Sequence, residues 1–198
     1  MAVDNNLLIL SDEIYDRIVY DDTEICSIAS FEQVKDRIIL ANGFSKTYAM
    51  TGWRLGYLFA DKSVIEAVNR IQQSSTTCPS SFVQMAGITA LKEKNSINRM
   101  VKEYDKRRRI IVEGLNQIPR IECSVPKGAF YVFPNISRTN QSSSKICNEL
   151  LEKEGVCTTP GSVFGRYGKQ HIRLSYATGI ETINKALEKM NRFFSQIT

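Results

Sequence analysis

"GFSKTYAMTGWRLGY", Gly43 to Tyr57, is the stretch on which the reading turns. A lone lysine, Lys46, stands among small and hydroxylated residues directly after the apolar run "RIILAN" (Arg37 to Asn42), and Arg54 follows eight positions later. The run reads as a buried strand, so Lys46 falls where a strand ends. Lys46-Thr47 after a glycine-containing turn would suit a phosphate-binding loop, but that motif needs glycines where Leu40 and Ser45 stand. A lysine at a strand end can instead act as an amine nucleophile toward a carbonyl. Arg54 offers a permanently charged fork that fits a phosphate dianion, and Ser45 and Thr47 add hydroxyl donors. Taken singly, Lys46 is a loop lysine and Arg54 a structural arginine. Taken together, they fit a phosphate-bearing carbonyl cofactor.

Two more apolar runs flank this one. "LLIL" (Leu7 to Leu10) has the pattern of a strand buried on both faces and ends at Ser11-Asp12, and "RLGYLFA" (Arg54 to Ala60) is a third strand candidate. A weak helical patch, "SFEQVKD", lies between the first two. Such strands joined by crossovers predict a parallel-type α/β sheet, with ligands at the carboxyl ends of its strands. Asp12 and Lys46 both occupy such ends. Asp12 is either a loop cap or a partner for a protonated ring nitrogen. Tyr15, three residues on, is either a core aromatic or a hydroxyl within reach of the same ligand.

After Ala60 the period becomes helical. Asp61 or Ser63 can cap a helix carrying Val64, Ile65, Val68 and Ile71 on one face. "TTCPSS" breaks it, a second helix runs from Phe82 to Leu91, and a third from about Ser96 to Leu115. From about Arg120 the pattern is α+β: strands at "IECSV", "AFYVFPNI", "GVCTT" and "HIRLSYA", and helices at Ser143–Lys153 and Glu181–Phe194. The chain divides near residue 95, into segments 1–95 and 96–198.

Composition narrows the function classes. The 198 residues are 42% hydrophobic and 24% charged, with a net charge of +5, as expected of a globular protein. The densest basic run, "KRRRI" (Lys106 to Ile110), falls in a helical pattern and reads as a solvated face, so no nucleic-acid partner is expected. No apolar run approaches the ~18 residues of a membrane span, and no signal peptide is visible. The five cysteines are widely spaced and never in C-x-x-C. They predict reduced thiols in a cytoplasmic protein with no disulfide framework and no metal site. His171 is the single histidine, which leaves little basis for a Ser-His-Asp triad or a histidine metal cluster.

"SDEIYD", "NGFSKTYAMTGWRLGY", "PKGAFYVFPNI", "PGSVFG" and "HIRLSYA" resemble, in this order, the class I/II aminotransferases of the fold-type I pyridoxal-phosphate enzymes. S-K-x-x-x-x-x-G-W-R-x-G is the most specific of these matches. The resemblance implies an α/β fold: residues 1–95 as the C-terminal part of the large cofactor-binding domain, and 96–198 as the small C-terminal domain. It implies pyridoxal 5'-phosphate, held by Lys46 as the Schiff-base lysine, which also moves the proton. Asp12 pairs with the pyridine nitrogen, Tyr15 donates to the phenolic oxygen, and Arg54, with Ser45, binds the phosphate. Arg173 clamps the substrate α-carboxylate, and Gly128 and Phe130 line the substrate side. The implied reaction moves an amino group between an amino acid and a 2-oxo acid, in a homodimer away from membranes. The same residues also serve lyases and synthases of this fold type, and a non-catalytic partner domain is a further alternative. Two departures stand out. Gly43 stands where some members place a serine, and family chains are about twice as long. The resemblance therefore implies the C-terminal half of an aminotransferase, with little activity alone.

Overall fold

The structure, a computed structural model, describes residues 1–197. The chain forms two compact units, Met1–Arg99 and Met100 onward. The division falls inside α3 (Asn95–Gln117), whereas the sequence pattern puts it near residue 95.

The first unit is built on a three-stranded sheet in the order β1 (Ile9–Asp12), β2 (Ile38–Gly43), β3 (Gly56–Ala60). β1 and β2 are parallel, with Asp12 opposite Ala41. β3 is antiparallel to β2, with Gly43 opposite Gly56. The β1–β2 pair meets the expectation of a parallel-type sheet and β3 departs from it, for a reason that lies in the connection. A parallel return needs a crossover to the other end of the sheet. Residues 44–55 instead fold back at the same end, where Phe44 N–H donates to the Leu55 carbonyl (3.1 Å) and Met50 N–H to the Phe44 carbonyl (3.2 Å).

Burial also differs from expectation. Central β2 is the buried strand, through Ile38 and Leu40, but Leu7, Leu8 and Leu10 are exposed, as are Tyr57, Leu58 and Phe59. β1 and β3 are the two edges of this sheet, and an apolar run records what a strand could bury, not what covers it. "SFEQVKD" forms short 3-10 turns, Ile28–Ser30 and Glu32–Arg37, not an α-helix. Asp61 caps α1 (Lys62–Ser75) by accepting from Ser63 N–H at 2.8 Å, as a carboxylate at that position should. In α2 (Ser81–Lys92), Phe82, Met85, Ile88 and Leu91 form an exposed apolar stripe.

The second unit holds most of the fully buried core: Leu115, Ile136, Ile146, Leu150, Ile172, Tyr176, Met190 and Phe194. Its sheet is antiparallel, in the order β4 (Tyr131–Val132), β6 (Ile172–Ser175), β5 (Thr159–Pro160). Helices α4 (Ser143–Glu154) and α5 (Ile180–Ser195) complete it. The Ser142 hydroxyl caps α4 at its start, and Gly155, at φ 66°, closes its end in the left-handed region that glycine tolerates. The expected strand "IECSV" is reduced to one bridge, Glu122 to Asn135. The Asn116 carboxamide takes the place of a strand partner: its Oδ1 accepts from Cys123 N–H (2.8 Å) and its Nδ2 donates to the Cys123 carbonyl (2.9 Å). "AFYVFPNI" keeps only two ladder residues, because Ala129 has φ 59° and Pro134 brings no N–H.

No helix among the described residues is long and apolar enough to cross a membrane. Among the same residues, no group of three or more His, Cys, Asp or Glu side chains could hold a metal ion.

Candidate active site

In the first unit, strand register brings the chemistry together. Asp12 ends β1 and lies opposite Ala41 of β2, so Lys46, five residues beyond Ala41, leaves the same end of the sheet. Because β3 runs back from that end, Arg54 and Leu55 just before it lie there too, with Gly56 opposite Gly43. Asp12, Tyr15, Ser45, Lys46 and Arg54 thus share one end of one three-stranded sheet.

Hydrogen bonds fix this end. The Arg54 guanidinium donates to the Thr51 carbonyl (2.8 Å), and the Thr51 hydroxyl donates to the Ser45 carbonyl (2.8 Å). The expected phosphate arginine is therefore coupled to the residue beside Lys46. Arg54 itself has φ 54°, ψ 45°, so it sits in a left-handed turn and not in the strand. Lys46 lies in a turn, half-buried, and Ala49 N–H donates back to its carbonyl (3.1 Å). Thr47 is 2% exposed, and its hydroxyl reaches the Asp16 carboxylate at 3.4 Å. Asp12 Oδ1 accepts from Ile14 N–H (3.2 Å), which starts the turn carrying Tyr15. Glu13 Oε1 accepts from the Ser11 hydroxyl, the Ser27 hydroxyl and Ile28 N–H, at 3.2, 3.0 and 3.1 Å. The phenol of Tyr57 is held above its usual pKa, first by its partial desolvation, although the side chain as a whole is exposed, and then by the Asp16 carboxylate.

Gly43 has a local explanation. A Cβ there would meet the Leu55 carbonyl at 3.1 Å, and Gly56 Cα and Ile14 Cδ1 at 3.3 Å. The β2–β3 crossing is too close for a side chain unless its neighbours give way.

In the second unit, Arg173 sits on central β6. Strand alternation puts Arg173 on one face and buried Ile172 and Leu174 on the other. The Arg173 guanidinium carbon lies 4.6 Å from the Tyr131 ring centre and 4.7 Å from that of Phe164. Phe164 packs edge-on to Phe133 (5.9 Å), and Phe133 stacks on His171 (4.8 Å, 6° between planes). Phe130 is buried against Tyr104 and Tyr131 and fills the core, and Gly128 is half-buried.

Sequence reasoning did not single out Thr47 as a buried link, nor Asp16, Thr51, Tyr131 or Phe164. Tyr131 and Phe164 stood within quoted motifs, but their contact with Arg173 joins distant segments and leaves no local signal.

The donor set fits a phosphorylated pyridine aldehyde. It offers a primary amine for the aldehyde, a guanidinium with a neighbouring hydroxyl for the phosphate, and a carboxylate for the ring nitrogen.

Comparison with known proteins finds relatives over nearly the whole chain. The family model for aminotransferase class I and II matches residues 1–190. The aspartate aminotransferase of Pyrococcus horikoshii is 46% identical over 195 residues, covering 97% of this chain and 49% of that protein. The aromatic-amino-acid aminotransferase 2 of Thermococcus litoralis is 41% identical over 200 residues, covering 98% and 51%. The crystal structure of an aromatic aminotransferase from Pyrococcus horikoshii superposes with a TM-score of 0.94 at 41% identity, over 98% of this chain and 53% of that one. The chain thus spans about half the length of the curated relatives it matches. With an α/β fold of the fold-type I kind and a family match over nearly its whole length, this chain belongs to the class I and II aminotransferases.

Proposed function

We propose that this chain supplies the cofactor lysine and the carboxylate-binding arginine of a pyridoxal-phosphate-dependent aminotransferase. Such an enzyme moves an amino group between an amino acid and a 2-oxo acid. The strongest support is the register that gathers Asp12, Ser45, Lys46 and Arg54 at one end of the first sheet. When bound, pyridoxal 5'-phosphate supplies the carbonyl for amine exchange and an electron-withdrawing ring. Lys46 presents its Nζ as the amine nucleophile and, when free of the cofactor, holds and moves the proton of the substrate α-carbon. Asp12 pairs its carboxylate with the pyridine nitrogen and keeps that nitrogen protonated. Tyr15 donates its hydroxyl to the phenolic oxygen. Arg54 binds the phosphate with the Ser45 hydroxyl, its fork braced by the Thr51 carbonyl. Arg173 takes the substrate α-carboxylate with N–H donors that no described residue engages in a hydrogen bond or ion pair. A homodimer and a cytoplasmic setting belong to the same proposal, the latter supported by five free cysteines.

The test is an amino-transfer assay with pyridoxal phosphate, a panel of amino acids and 2-oxoglutarate. It is run on the 198-residue chain alone and with a polypeptide equivalent to the remaining half of a relative. Glutamate formation is expected on mixing and is lost in Lys46→Ala; alone, turnover stays below about 1 per second, the low end for enzymes. Absence of amino transfer in both arrangements overturns the proposal.

A further inference from the structure

We infer that Tyr131 and Phe164 are positioning residues that hold the Arg173 guanidinium ready for a carboxylate; this rests on the reading of Arg173 given above. The second unit shows how an arginine that serves only structure is satisfied. Arg108 is 1% exposed, pairs with Asp105 at 2.6 Å and donates to the Pro126 carbonyl at 2.7 Å. Arg173 is held in another way. Two aromatic rings lie 4.6 and 4.7 Å from its guanidinium carbon, and no acceptor among the described residues takes a hydrogen bond from it. Ring faces attract a cation through their quadrupole. They therefore restrain the long side chain while its hydrogen-bonding capacity stays available for a ligand.

The two rings reach Arg173 by different routes. Tyr131 is its diagonal neighbour across the β4–β6 ladder, where Tyr131 lies opposite Ser175. Phe164 comes from the turn Gly161–Phe164, within "PGSVFG", a motif to which no role has been attached. That turn is anchored beside Arg173: Gly161 N–H donates to the His171 carbonyl (2.8 Å), and His171 N–H donates to the Gly168 carbonyl (2.9 Å). Phe133, stacked on His171, packs against the Phe164 ring from the side. The contact thus joins a strand pair and a pinned turn on one guanidinium. A restrained arginine loses less freedom when it closes on a ligand, and that difference appears as affinity.

The experiment uses the full chain labelled with 15N, and follows the Arg173 Nε–H resonance, identified by its loss in Arg173→Lys. Affinity for 2-oxoglutarate is read from the same spectra. In the parent, ring currents displace this resonance. Phe164→Leu and Tyr131→Leu should each return it toward the position of a free arginine and weaken 2-oxoglutarate by about three- to thirty-fold. Phe164→Tyr, which keeps a ring, should preserve both. Replacing Phe164 by pentafluorophenylalanine keeps the shape, inverts the quadrupole and should weaken binding as Leu does, which decides the matter if Phe164→Leu does not fold. If Arg173→Lys abolishes binding while both ring variants leave resonance and affinity unchanged, the inference alone is overturned. If Arg173→Lys binds 2-oxoglutarate as the parent does, the carboxylate reading falls, and the inference with it.

Discussion

The Thr47 hydroxyl donates to the Asp16 carboxylate at 3.4 Å, tying the turn that carries Lys46 to the turn that carries Tyr15. The two residues are 31 positions apart in sequence, and each neighbours a residue assigned to the cofactor. Thr47→Val keeps the buried volume but removes the hydroxyl. It should lower stability by about 0.5–1.5 kcal/mol, the net worth of one such hydrogen bond. Urea unfolding would measure this, and an unchanged midpoint would show that the bond is not formed in solution.

Lys46 should be the one lysine that pyridoxal phosphate labels irreversibly after borohydride reduction. Peptide mapping of the reduced protein is expected to find the adduct on Lys46, and Lys46→Ala should remain unlabelled at equal cofactor concentration. A stable adduct at another lysine, with Lys46 bare, would count against the assignment.

Gly161 and Gly168 press on each other. A Cβ on Gly168 would meet the Gly161 carbonyl oxygen at 2.0 Å, and one on Gly161 would meet the Gly168 carbonyl oxygen at 2.2 Å. Both obstacles are backbone and cannot swing aside. Gly168→Ala should therefore cost at least about 1–3 kcal/mol, the range for overpacking. Gly165→Ala tests a different cause. Nothing lies within 4 Å of its Cβ position, but its φ of 107° strains any L side chain, at on the order of 1–3 kcal/mol. Thermal or urea unfolding of the two variants reads both costs. The Arg173 resonance separates them further, because only Gly168→Ala must push the two loop ends apart.

Burial raises the Cys123 thiol from an ordinary value of 9.0 to about 11, and Cys147 is raised in the same direction by the same cause. Cys26, Cys78 and Cys157 are exposed. A thiol reagent at pH 8 should therefore modify these three and spare Cys123 and Cys147 until the protein unfolds. The sign of the stability effect follows from which state holds the proton. The unfolded thiol ionises near pH 9 while folded Cys123 keeps its proton. Its contribution is thus fully present below pH 9 and is lost as pH rises to about 11. Cys123→Ala should flatten that part of the stability profile. Equal reaction of all five thiols in the native protein would contradict this.

Legibility in the sequence followed the range of the interaction. Lys46 and Asp12 could be read as strand-end residues because apolar runs and their breakers are local. The cap at Asp61 was readable for the same reason. The direction of β3 was not, since alternation along a strand carries no arrow; only the closed turn from Phe44 to Leu55 sets it. Nor could the runs around Leu8 and Leu58 report their exposure, which depends on elements that cover them and not on their own pattern. "IECSV" alternates as a strand should, yet one carboxamide, Asn116, outcompetes a strand partner for the Cys123 backbone. The ring contacts on Arg173 come from segments near 131 and 164, and no window of sequence contains all three.

The mutual approach of Gly161 and Gly168 has a consequence for how this region can change over time. The two positions close a loop of eight residues by backbone contact alone, in the manner of a clasp without a covalent link. Neither half of the clasp can accept a side chain, and substituting both would double the collision. The tip is under no such restraint: Val163 and Tyr167 are 65% and 81% exposed. Variation can accumulate at the tip while the ends stay registered on His171. Phe164 is the exception within the loop: its ring lies against Arg173 and Phe133, so exchange there falls on the arginine, whereas exchange at Val163 and Tyr167 leaves both the clasp and that contact in place.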